Sequence, residues 1–293
     1  MSQNDGEYVL TDVDCSEEIT WTKKDMRDAL PVVPPAIEPD TERFFEDSSS
    51  VGDVGPTFID PELREDMAPP EAIARRVSDA SRNRLPSRAV GALFYRDKSG
   101  RNLRGTAFAC VKKNLVMTAA HNVNSGGARG TPGEEYTDFV FVPNFGLDNY
   151  DVFRPFKVGL RSNWRNYSDK RYDYAFFVFR DTGNTIPIGF VYQRPYPQTW
   201  EAYGHPAQAP FDRFGLYVAQ GRELRTLPAG VVAMDNNDMN EGSSGGPWVL
   251  SENGTYYANG LNSHHIPGKP RFMHSPFFRN KVYDDLQATL PYA

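Results

Sequence analysis

The 293-residue sequence has only two cysteines, Cys15 and Cys110, far apart in the chain. That excludes the disulfide framework of a secreted scaffold and fits a reducing compartment. No apolar run approaches the ~18 residues that a membrane-spanning helix needs. The N-terminus, MSQNDGEYVLTDVDCSEE, is acidic and lacks an apolar stretch, so it does not read as a signal peptide. A cytoplasmic location is the expectation, with export by a non-classical route as the alternative. There is no internal repeat. No basic stripe or nucleic-acid-binding motif is present. Three of the five histidines, His264, His265 and His274, lie near one another, but no second pair at ligand spacing supports a metal site. No cofactor is implied.

Glycine and proline, at 24 and 23 residues, are plentiful, which suits short strands joined by turns. The net charge of −6 hides an asymmetry. Residues 1–85 hold 20 acidic and 9 basic residues, net −11, whereas the remainder holds 18 and 23, net +5. Residues 1–67 also carry Pro31, Pro34, Pro35, Pro39, Pro56 and Pro61. High charge and weak periodicity make this a largely disordered acidic leader. Its charge also suits docking on the basic body. Residues 68–87 read as a helical connector, with a short helix over 69–84 whose Ile73, Val77 and Ala80 share one face.

From about Arg88 short runs rich in apolar, β-branched and aromatic residues recur. Examples are AVGALFY (89–95), GTAFACV (105–111), NLVMTAA (114–120), DFVFV (138–142) and YDYAFFVF (172–179). The pattern continues through FGLYVAQ (214–220), PWVL (247–250) and YYANGL (256–261). Strands spaced this way predict an all-β antiparallel barrel or sandwich. Ser275 and Pro276 read as an N-cap and first turn. Phe278, Val282, Leu286 and Leu290 then predict an amphipathic C-terminal helix over 276–290.

Three local sequences carry chemistry. GSSGGP (242–247) sets Ser244 among glycines, where successive N–H groups can hold an oxyanion beside a hydroxyl nucleophile. By itself it is also an ordinary Gly/Ser loop. His121 ends an apolar run in VMTAAHNV, a place at the rim of a sheet, although a lone histidine is more often structural. Asp173 lies among aromatics in YDYAFFVF, and a buried carboxylate needs a partner, a backbone amide being the plain choice. The chain order His121, Asp173, Ser244 is one of the few in which an acid–base–nucleophile set is known.

With TAAH, DYA and GSSGGP in this order, residues 88–290 resemble the chymotrypsin/trypsin-like serine endopeptidases, and among them the glutamyl-endopeptidase-like branch. The resemblance implies two six-stranded antiparallel β-barrels with a C-terminal helix. The peptidase domain would span 88–293, with the first barrel about 88–185 and the second about 186–274. It implies a serine endopeptidase acting through an acyl-enzyme, with protein or peptide substrates. A catalytically silent protease-fold scaffold is the alternative. It implies Ser244 as nucleophile, His121 as base and Asp173 as the group that orients the imidazole. The backbone N–H groups of Gly242 and Ser244 would form the oxyanion hole, Ser263 would support the aspartate, and the main chain of Ser263 to His265 would pair with substrate.

Departures from that pattern carry their own expectations. Ser243 stands where digestive relatives carry the aspartate that pairs with a freed N-terminus, so that activation switch is not expected. Asn122 stands where extracellular members carry a cysteine. Asp238, six residues before Ser244, falls where a trypsin-type pocket carries its carboxylate; capping a turn is its alternative role. His264 and His265 crowd the mouth of such a pocket. Asn262 replaces the histidine of glutamate-selecting members, and Met239 their small hydroxyl residue. Basic, acidic and narrower preferences all stay open.

Overall fold

In a computed structural model of the chain, the described residues are 6–13, 20–32, 73–194, 197–224, 230–266 and 269–293. In chain order the strands are β1 (Tyr8–Asp12), β2 (Leu30–Pro31), β3 (Arg75–Arg76), β4 (Val90–Arg96), β5 (Asn102–Cys110) and β6 (Lys112–Thr118). Then come β7 (Thr137–Pro143), β8 (Pro155–Arg161), β9 (Ala175–Phe179), β10 (Gly189–Phe190), β11 (Thr199–Gly204) and β12 (Tyr217–Leu224). The last are β13 (Val231–Met234), β14 (Pro247–Glu252), β15 (Thr255–Leu261), β16 (His264–Ile266) and β17 (Lys269–Pro276). Among the described residues four α-helices accompany them: α1 (Lys23–Asp28), α2 (Asp79–Arg82), α3 (Ser162–Tyr167) and α4 (Asn280–Thr289).

Two sheets make up the body. The first runs β1-β8-β9-β6-β5-β4-β7, with β2 beside β5. Reciprocal hydrogen bonds between Phe141 and Phe153, of 2.8 and 2.9 Å, fold its β7 edge back toward the β8 side. The second runs β10-β15-β14-β11-β12-β13-β17-β16, with β3 beside β12. This is the all-β architecture expected, closed by a C-terminal helix.

The strand sequences follow from which faces are covered. β4 is apolar along its length because both its faces are packed. Leu93 and Tyr95 point into the first barrel, while Ala92 and Phe94 lie under Trp21 and Met26 of the leader. β9, and β6 from Leu115 onward, are buried on both faces for the same reason. Val116 and Phe177 fill the first barrel, and Met117 and Phe176 join the core shared with Leu261 and Phe278 of the second half. Trp200 and Trp248, 5.0 Å apart, fill the second barrel.

Two stretches of the leader belong to the first barrel. β1 extends the sheet along β8, with Leu10 opposite Gly159. Thr22 caps α1 reciprocally with Asp25, and Trp21, Met26 and Ala29 are buried. Burying Trp21 and Met26 contributes about 1.5–3 kcal/mol each. The rest of the leader, with Cys15, lies outside the described residues. Where a helix is expected over 69–84, the described part holds β3 and the four-residue α2 instead. The C-terminal helix starts later than the sequence suggests. Ser275 is no N-cap: it pairs with Val232 in β17, and its hydroxyl accepts the Leu261 N–H at 2.8 Å. α4 begins at Asn280, with Arg279 at the cap, and buries Val282 and Leu286. Asp285 anchors it by accepting from Arg161 Nε at 2.6 Å and Nη2 at 2.5 Å, and from the Tyr174 hydroxyl at 2.6 Å.

Candidate active site

Sheet register brings the chemistry-bearing residues to one end of each sheet. β6 and β9 are antiparallel, with Thr118 opposite Ala175. The turn leaving Thr118 therefore meets the turn entering Ala175: His121, in a 3₁₀ turn at Ala120–Asn122, meets Asp173, which closes the turn at Lys170–Tyr172. In the second sheet β14 and β15 are antiparallel, with Pro247 opposite Leu261. Ser244 and Ser263 thus emerge side by side, and Gly245 N–H donates to the Asn262 carbonyl at 2.7 Å.

The two ends are joined. Ser263 Oγ donates to Asp173 Oδ2 across the barrels. Asp173 Oδ2 also accepts from His121 Nδ1 at 2.8 Å, and Oδ1 accepts the His121 backbone N–H at 2.9 Å. This second bond leaves the imidazole little freedom to rotate. From the other side, Asn122 Nδ2 and the Thr106 N–H each donate to the Ser244 carbonyl at 2.8 Å. Ser244 is thereby tethered to the residue after His121.

Asp173 is fully buried, which alone would raise its pKa. The charge of His121 and its hydrogen bond, with Lys170 and Ser263, reverse that and hold the carboxyl well below the usual range. Burial lowers Lys170 to about 8 against the pull of Asp173, and its ammonium sits 5.1 Å above the Trp164 ring. Trp164 also walls His121, their ring centres 6.1 Å apart. His264 is pushed well below its ordinary value by burial and by Lys170 and His274, so it stands neutral beside Ser263, Nδ1 to Oγ 2.8 Å.

Four groups at this junction are unspent. His121 Nε2 is buried without a hydrogen-bond partner. Ser244 Oγ makes no hydrogen bond among the described residues, and neither do the Gly242 and Ser244 N–H groups. Gly242, at φ +99°, and Gly245, at φ +87°, take backbone angles that only glycine adopts easily. A Cβ on Gly245 would also strike Thr118 Oγ1 and the Thr106 carbonyl. The glycines let this loop lie directly on the strands that carry His121. An unpaired imidazole nitrogen, a hydroxyl and two amide donors in one place can support nucleophilic attack on a carbonyl.

The residues expected to set specificity sit otherwise. Both oxygens of Asp238 accept main-chain N–H groups of the connector, Ile73 at 2.7 Å and Ala74 at 2.9 Å. Its carboxylate caps that turn rather than lining a pocket, each oxygen taking one main-chain N–H. Asn262 is wholly buried, not substrate-facing. Its Nδ2 donates to Tyr203 and Ser243 carbonyls, and its Oδ1 accepts from Asn237 and Trp248. His265 is pinned by both ring nitrogens, to the Met239 carbonyl at 2.8 Å and the Phe272 carbonyl at 3.1 Å. Met239 is fully buried in the second barrel. Sequence reasoning gives no role to Thr106 beyond its motif. Its hydroxyl accepts the His205 N–H at 2.9 Å and donates to the Gly242 carbonyl at 2.8 Å. Asn122, by sequence only a missing cysteine, is the other residue whose part shows only in the fold.

No protein-family model matches the sequence, and none of the curated proteins does. Among solved structures, a thermostable serine protease from an extremophilic microorganism aligns at 26% identity and TM-score 0.62, over 71% of this chain and 99% of that one. The protease Anisep from Arthrobacter nicotinovorans aligns at 23% identity and TM-score 0.60, over 69% and 94%. A Glu endopeptidase solved in complex with MPD aligns at 13% identity and TM-score 0.59, over 75% and 97%. The chain has the chymotrypsin-like fold that these serine proteases share.

Proposed function

We propose that the protein is a serine endopeptidase in which Ser244, His121 and Asp173 act as nucleophile, base and orienting carboxylate. The observation that carries this reading is the buried, unpartnered Nε2 of an imidazole whose other nitrogen is fixed by Asp173. His205 and His274 also hold buried ring nitrogens without partners, but among the described residues only His121 sets its Nδ1 on a buried carboxylate, the arrangement that leaves Nε2 as a base.

In the proposed reaction Ser244 Oγ attacks the scissile carbonyl as its proton passes to His121 Nε2. The N–H groups of Gly242 and Ser244 receive the oxyanion, an effect worth on the order of a hundredfold per donor. His121 then returns the proton to the departing amine, and water attacks the acyl-enzyme by the same relay. Asp173, ionised because its pKa is depressed, offsets the charge of the imidazolium. Ser244 Oγ must swing toward Nε2 for this, a tightening that often awaits bound substrate. β16 is the last strand of its sheet, so its outer edge can take an extended peptide as an added strand.

A fluorophosphonate probe should label the purified protein at one site, and Ser244→Ala should abolish labelling while leaving the fold intact. Wild-type protein that is folded and yet inert to the probe would refute the assignment.

A further inference from the structure

Arg82, Arg104 and His205 gather around Phe145, with Arg213 beside Arg104. Arg104 and His205 are 0% exposed and Arg82 is 1% exposed. Arg82 Nη2 donates to the Phe145 carbonyl at 2.5 Å. The Arg104 guanidinium lies 5.2 Å from the Phe145 ring centre, and the His205 ring meets that ring edge-on at 5.9 Å. Arg104 Nη1 donates to the Arg213 carbonyl at 2.8 Å, and Arg213 Nη2 to the Ala29 carbonyl at 3.2 Å.

These bonds leave much unspent. Arg82 Nε and Nη1, Arg104 Nε and Nη2, Arg213 Nε and His205 Nε2 are all buried without a partner. No carboxylate pairs with them among the described residues. Asp212 is occupied by Arg76 at 3.0 Å and by the Phe214 and Gly215 N–H groups, and Asp79 faces Arg76 at 3.7 Å. Burial lowers Arg104 to about 9, with Arg213 adding to the effect, and lowers Arg82 to about 10. Asp79 and Asp212 act on Arg82, and Asp212 on Arg104, only through space, so buried donors are left without acceptors and point to an ion that the protein alone does not supply.

We infer that Arg82, Arg104, Arg213 and His205 form a binding site for a small tetrahedral oxyanion, with inorganic phosphate as the matching ligand. The two unpaired nitrogens of Arg104, Nε and Nη2, are the neighbouring pair that grips two oxygens side-on. Arg82 and Arg213 present further donors from other segments. A carboxylate brings one charge and two oxygens, too few for three guanidinium groups. Inorganic phosphate is a mixture of mono- and dianion at pH 7 and brings four oxygens for these donors. A cleft of about 260 Å³ beside the cluster shares Phe145 and Phe214 with it, and Lys23, Arg27 and Asp148 also line that cleft. Two cations against one carboxylate bias that cleft toward anions, next to the ring on which Arg104 and His205 pack. The site also touches the Ser244 loop: the His205 N–H binds Thr106 Oγ1, which in turn binds the Gly242 carbonyl. An occupant that fixes His205 therefore braces that loop.

The test is calorimetric titration of the exhaustively dialysed full chain with inorganic phosphate at constant ionic strength. One-to-one saturable binding is expected, together with a melting temperature that rises with phosphate and not with chloride or acetate. Anion carried through purification is read by ion chromatography of the denatured protein, where about one phosphate or sulfate per chain counts as occupancy. Arg104→Met should weaken binding at least tenfold. Should that variant fail to fold, Arg213→Met at the half-buried edge decides, with a severalfold loss expected. Neither bound anion nor titratable binding, an equal response to acetate, or unchanged affinity in the folded variants would overturn the site. None of these readouts uses peptidase activity, so the outcome is independent of the role given to Ser244.

Discussion

Replacing Asn122 with alanine tests how the two barrels are held together at the site. The Asn122 side chain is fully buried and makes three hydrogen bonds. Its Oδ1 accepts from the Tyr95 hydroxyl at 2.8 Å, and its Nδ2 donates to Thr118 Oγ1 at 3.0 Å and to the Ser244 carbonyl at 2.8 Å. Thr118 Oγ1 still donates to the Thr106 carbonyl and Ser244 still accepts from Thr106 N–H, so each of those losses costs about 0.5–1.5 kcal/mol. Tyr95 is different. It is fully buried and its hydroxyl has no other partner among the described residues, so orphaning it costs about 1–3 kcal/mol. Asn122→Ala should therefore lose about 2–6 kcal/mol in urea unfolding. The partition is checked by a double-mutant cycle with Tyr95→Phe, which removes the orphaned hydroxyl. The double variant should be more stable than additivity allows, by about 1–2 kcal/mol. A loss below about 1 kcal/mol, or strict additivity, would mean that Asn122 does not carry this junction.

Other buried polar groups carry expectations of the same kind. Burial, with His265 and Lys170 nearby, lowers His274 to about 4, so below pH 6.5 the unfolded chain takes up a proton that the folded chain refuses. Stability should then fall by about 2 kcal/mol between pH 7 and 5 from His274 alone, with His264 acting in the same direction; a urea midpoint flat over that range would contradict it. Asp173 works lower on the scale: its depressed pKa stabilises above the unfolded carboxylate value of ~3.9, and that contribution is lost on further acidification. Asp285→Ala leaves the Arg161 guanidinium buried without its bidentate partner and should cost about 3–5 kcal/mol by chemical denaturation; a loss within 1 kcal/mol would show that α4 is held otherwise. Ser263→Ala should cost about 1–3 kcal/mol and slow peptide hydrolysis, and Ser263→Thr, which keeps the hydroxyl, should restore both; equal effects from the two substitutions would separate Ser263 from Asp173.

What the sequence discloses depends on how local the cause is. β4, β9 and the second half of β6 are visible because burial on both faces writes an apolar run. β17 is not, since its KPRFMHSP carries two prolines and a lysine and is held as a strand by β13 and β16 from elsewhere in the chain. The same eight residues contain the Ser-Pro pair that imitates a helix start, and tertiary pairing overrides it. Trp21 and Met26 sit in a stretch of the leader whose composition speaks of solvent, yet they cover the exposed face of Phe94. Site residues divide in the same way. His121, Asp173 and Ser244 stand in short motifs, and antiparallel register alone delivers them to common strand ends. Asp238 and Asn262 can be placed by sequence only through their distance from Ser244 along the chain, which does not fix where a side chain turns. Two connector amides claim one, and four groups of the second barrel claim the other. Arg82, Arg104 and Arg213 lie in unrelated segments, each an ordinary surface arginine by sequence. Only folding around Phe145 makes them a shared unmet charge, so a site of this kind can be found in coordinates and not in a motif.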